Sequence, residues 1–170
     1  MTADPRFRAP LVVVTALVLH LVVLSRLRVF GVMPDLMLLL AVGAGLTGGP
    51  SGGSAMGFVS GMVVDLFLDT PLGLSALVFT LVGFAVGTVG TGILRASWWI
   101  PILTAFVASA AGEVMFALAG AMVGESQMAT GRLVVIAPVV GVLNAMLAPV
   151  AVRLAAWALA RSAATGAYVG

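Results

Sequence analysis

Five glycines recur at four-residue intervals, Gly45, Gly49, Gly53, Gly57 and Gly61, and the same step then reaches Asp65 and Asp69. The stretch from Leu36 to Val64 is otherwise apolar and carries no charge. In water such a run is a poor helix, because each glycine costs up to about 1 kcal/mol relative to alanine. In lipid the same spacing has a use: small residues four apart let two helix backbones touch. Carboxylates at the end of such a face are expensive in a membrane and need a partner or a purpose.

Composition supports the membrane setting. Of the 170 residues, 62% are hydrophobic and 8% charged, and the mean hydropathy is +1.23. Soluble domains carry about 25% charged residues, so this chain is expected to be an integral membrane protein. All eight basic residues are arginine, and the net charge is only +2. The pI near 10.5 reflects few titrating groups rather than a basic surface, which gives nucleic-acid binding no support. The absence of cysteine excludes disulfides, thiolate metal sites and thiol catalysis. Arg6 and Arg8 precede an apolar run from Ala9 to Leu24, as in a signal peptide. Ser25-Arg26-Leu27-Arg28 then replaces the small residues of a cleavage site, so a retained first helix is predicted.

Prolines divide the chain. Pro10, Pro34, Pro50, Pro71 and Pro101 each open an apolar run, a placement that suits a first helical turn. A further run opens after Gly131-Arg132. The expectation is one all-α integral membrane domain over residues 1–170, a compact bundle of about six transmembrane helices at 10–25, 34–48, 51–68, 71–94, 98–123 and 132–158. A span needs about 20 residues, and the second and third segments are short. Gly48-Gly49-Pro50-Ser51-Gly52-Gly53 separates them, giving either a hairpin of two short spans, the preferred arrangement, or a re-entrant pair. With six spans the termini share a side, together with Arg6, Arg8, Arg95, Arg153 and Arg161. Arg26, Arg28 and Arg132 fall on the other, so cytoplasmic termini are expected. Trp98, Trp99 and Trp157 suit interface anchors.

Few residues could carry chemistry. Gly53, Gly57 and Gly61 offer a slanted smooth stripe, either for packing inside the bundle or for a partner helix. Gly83 with Gly87, and Gly120 with Gly124, repeat the spacing. Asp65 and Asp69 lie one turn apart, whereas an intramembrane aspartyl protease brings its two aspartates from facing helices. Asp69 is expected to cap the turn before Pro71. Asp65 is expected to pair with an arginine such as Arg26, Arg28 or Arg132. His20, Glu113 and Asn144 fall near the middles of their helices, so an internal polar cluster is expected, structural in preference to a small-molecule or proton pathway. A metal site would need more ligands than His20 and Glu113 supply. The glycine-rich turn lacks the lysine of a phosphate-binding loop. No metal and no cofactor is expected.

Pro34-Asp35-Leu36-Met37-Leu38-Leu39-Leu40, then Gly57-Phe58, Gly61 and Asp65, then Thr70-Pro71-Leu72-Gly73-Leu74 and Gly83-Phe84 follow in an order and spacing that resembles the MreD family of rod shape-determining proteins. The resemblance covers residues 34–87, with Pro34, Asp35, Pro71, Gly73 and Gly83 as structural motif positions. It implies a multi-pass protein of the bacterial inner membrane, a non-enzymatic scaffold of the cell-elongation (rod) complex. It implies binding to MreC, and work with RodA, a class B penicillin-binding protein and MreB in peptidoglycan synthesis. It also implies a fold similar to the S subunits of energy-coupling-factor vitamin transporters. On this view the glycine stripe would give MreC's transmembrane helix a smooth groove, with Asp65 and Asp69 at its rim. The alternative, a vitamin-binding S subunit, would need a polar or aromatic pocket, and the chain has one tyrosine.

Overall fold

The computed structural model describes residues 5–22, 31–68, 70–90, 99–124 and 132–160. These form five helices: α1 (Pro5–Val22), α2 (Leu36–Phe67), α3 (Leu74–Gly90), α4 (Ile100–Met122) and α5 (Leu133–Leu159). The bundle is all-α, as expected, but the six predicted segments become five helices. The second and third segments form one element, α2, broken at Gly49, whose φ of 68° and ψ of −165° lie outside helical geometry. Glycine takes that positive φ at no steric cost, and Pro50 then opens the second arm with one N–H fewer to satisfy.

The break is a reversal rather than a bend. A Cβ placed on Gly53 would lie 2.8 Å from the Cα of Gly45, eight residues earlier. A straight helix would separate those residues by about 12 Å. The arms 36–48 and 50–67 therefore run antiparallel, back to back, with α3 seated against both. By length and composition α2, α4 and α5 are each apolar enough to cross a membrane, whereas α1 and α3 are shorter apolar helices. Because α2 doubles back, its 32 residues do not form one long span.

Pro10, Pro34 and Pro71 depart from the expected pattern, Pro71 lying in the turn before α3. Pro10 lies inside α1, which starts five residues earlier than predicted. Pro34 and Asp35 precede α2, and Asp35 is its N-cap. The core is centred on the first arm of α2: Met37, Leu38, Leu39 and Val42 are fully enclosed. The start of α1 meets the end of α5, where the Arg8 guanidinium lies 5.3 Å from the Trp157 ring centroid. Asp35 and Asp65 belong to the opposite half. Arg26, Arg28, Asp69, Arg95, Trp98, Glu125 and Arg161 lie outside the described residues, as does the side chain of Arg6.

Candidate functional site

The glycine stripe is a packing face within the chain. A Cβ on Gly57 would come within 2.5 Å of the Phe79 carbonyl carbon, and one on Gly61 within 2.5 Å of the Ala76 Cα. Gly53 meets the backbone of Gly83 in the same way, and Gly45 would place a Cβ 2.6 Å from the Gly83 oxygen. Gly83 and Gly87 complete the fit from the α3 side, against Gly53 and Gly49. The nearest obstacle in each case is main chain, which cannot rotate aside. Of the two roles open to Gly53, Gly57 and Gly61, the structure shows helix packing. The expected groove for a partner helix at this stripe is already filled by α3.

Among the described residues Asp65 is held by backbone and hydroxyl donors, and Arg26 and Arg28, two of the arginines expected beside it, lie outside them. Asp65 is buried, and four donors surround its carboxylate. Its Oδ1 accepts from Thr70 Oγ1 at 3.0 Å and from the Ser75 N–H at 3.1 Å. Its Oδ2 accepts from the N–H groups of Gly73 at 2.9 Å and Ala76 at 3.2 Å. Those amides are the open N-terminus of α3, where a helix presents unpaired donors and a partial positive charge. The Thr70-Pro71-Leu72-Gly73 turn wraps this carboxylate, and Gly73 makes the turn with φ of 91°. Asp65 therefore caps α3 from the preceding helix, while Asp69, expected to cap the turn before Pro71, lies outside the described residues.

Asp35 caps α2 in parallel fashion, its Oδ1 accepting from the N–H groups of Met37 and Leu38, each at 3.0 Å. Its carbonyl oxygen accepts from Asn144 Nδ2 at 3.0 Å. Asn144 also donates to Ser109 Oγ at 2.9 Å. One fully buried amide thus joins the start of α2 to α4 and α5, about three turns along α5.

The expected polar cluster exists in altered form. His20 and Glu113 line one cavity of about 190 Å³ together with Asp35, Ser75 and Thr70, while Leu38, Phe79 and Phe116 supply its apolar walls. Asn144 belongs to the pin behind Asp35 rather than to the wall. Within this half, His20 Nδ1, Ser75 Oγ and Asn144 Oδ1 are buried without a hydrogen-bond partner among the described residues. Among those residues no three His, Cys, Asp or Glu side chains converge as metal ligands. Ser75, Thr70 and Ser109 escaped the sequence reasoning. The two caps had a signal, since an Asp before an apolar run marks a helix start. The link from Asn144 to Ser109 joins two helices and had none.

Apolar helices crossing back and forth, joined by backbone contact and buried polar pins, define a polytopic helical membrane protein. Residues 5–156 match the sequence profile described as rod shape-determining protein MreD, and the chain belongs to that family. The family is one of shape-determining proteins, which assigns this chain to the determination of rod shape. Comparison with curated proteins and with solved structures returned no significant match, so the expected likeness to transporter S subunits gains no support there.

Proposed function

We propose that this protein is a non-enzymatic scaffold of the rod complex in the bacterial cytoplasmic membrane, with cytoplasmic termini. In this role it binds MreC and thereby supports peptidoglycan synthesis beside RodA, a class B penicillin-binding protein and MreB. The family match over residues 5–156 carries the proposal. The fate of the carboxylates agrees with it: Asp35 and Asp65 are both occupied in capping helices.

Since α3 closes the glycine stripe, a partner helix has to meet an outer face. The seam of α4 and α5 offers one, a shallow trough of about 500 Å³ lined by Trp99, Leu103, Phe106, Met146 and Pro149. Its lining is almost wholly apolar, so contact there rests on shape, as helix association in lipid does. The test is affinity purification in mild detergent with identification of the proteins recovered. MreC should co-purify, and Leu103→Trp should reduce its recovery without lowering the abundance of the bait. Purification of folded, abundant protein without MreC would sink the proposal.

A further inference from the structure

We infer that the groove between α1 and α5 is a binding site for one anionic phospholipid, its acyl chain lying along the groove and its phosphate at Arg8. The groove encloses about 400 Å³ and is lined by Leu11, Ala16 and Leu19 from α1 and by Val150, Leu154 and Trp157 from α5, with Leu39 and Leu40 as its floor. That volume falls in the range of small-ligand sites, about 300–1,000 Å³.

Arg8 stands one turn before Leu11 and Val12, on the same face of α1, and its guanidinium covers Trp157 at the mouth of the groove. Arg153 is exposed on α5, one turn before Trp157. The described acidic residues, Asp35, Asp65 and Glu113, belong to the other half of the bundle. Depth is also suitable. The 27 residues of α5 extend about 40 Å, against about 30 Å of hydrocarbon, so its last turns reach headgroup level. An arginine beside a tryptophan at that level meets a phosphate, and the apolar groove continues from it toward the membrane centre.

The experiment uses the full chain purified in mild detergent. Native mass spectrometry with equal phosphatidylglycerol and phosphatidylcholine should show one phosphatidylglycerol retained in preference. Arg8→Gln should lower that preference about fivefold, and Ala16→Phe should remove the adduct while the unfolding temperature is held. If Ala16→Phe fails to fold, a phosphatidylglycerol with a photoreactive group on its chain decides. Labelling concentrated on α1 and α5 supports the site. Labelling spread equally over the outer face of α4, or retention without headgroup preference, overturns it, as does displacement of the lipid by MreC's helix cross-linked into the groove.

Discussion

The seam between α2 and α3 and the seam between α1 and α5 are both apolar, yet they differ in kind. At the first, Gly53, Gly57 and Gly61 bring main chain against main chain, and Asp65 of one element closes the N-terminus of the other. At the second, leucine and valine side chains leave a groove of about 400 Å³. In lipid, burying an apolar side chain against another helix gains little, because the acyl chains are equally apolar. What joins helices there is close van der Waals contact and buried hydrogen bonds. The first seam has both. Among the described contacts, the second rests on apolar side chains against α2 and α5 and on Arg8 over the Trp157 ring, with no backbone-to-backbone approach like that of the first.

That contrast is open to direct attack. Gly57→Leu should have the largest effect, since the new side chain has to displace the α3 backbone: about 3 kcal/mol or more of lost stability, read as aggregation or a collapsed thermal transition in detergent. Ala16→Leu in the groove should cost less than about 1 kcal/mol by the same measurement. Equal losses would erase the distinction between the seams.

Asp65→Ala comes next. It strands one hydroxyl, two buried amides and the half-buried amide of Gly73, with an expected cost of about 3 kcal/mol, and Asp65→Asn should recover part of it because one oxygen still accepts. A fully neutral Asp65→Ala would mean that the turn reorganises to satisfy those amides. Asn144→Leu should cost about 2 kcal/mol, as the Asp35 carbonyl and Ser109 lose a donor, and chemical denaturation can measure it. Glu113→Gln should change stability least, by under about 1 kcal/mol, because Glu113 lines a cavity rather than closing a cap. A large loss there would move Glu113 into the same class as Asp65.

Local patterns in the sequence foretold much of this. The glycine stripe, the reversal at Gly48-Gly49-Pro50 and the gathering of His20 and Glu113 at one depth follow from spacing on a helix or from turn chemistry. Counted as elements there are five helices, and the predicted segments 34–48 and 51–68 fall on the two arms of α2. The donors to Asp65 were missed. An arginine is visible as a letter, whereas the amides of Gly73, Ser75 and Ala76 become donors only once α3 starts at Leu74. The Asn144 pin joins residues 109 positions apart, a relation no local window contains.

The break at Gly49 also governs the parity of the whole chain. A continuous 32-residue helix would carry the polypeptide across once and leave every later element inverted. By turning back, α2 returns the chain to the end it left, so the Asp65 carboxylate arrives where α3 has to begin. The backbone conformation of one glycine thereby decides at which end of the bundle α3 begins. An alanine at position 49, strained at a φ of 68°, would be a substitution in topology as much as in stability.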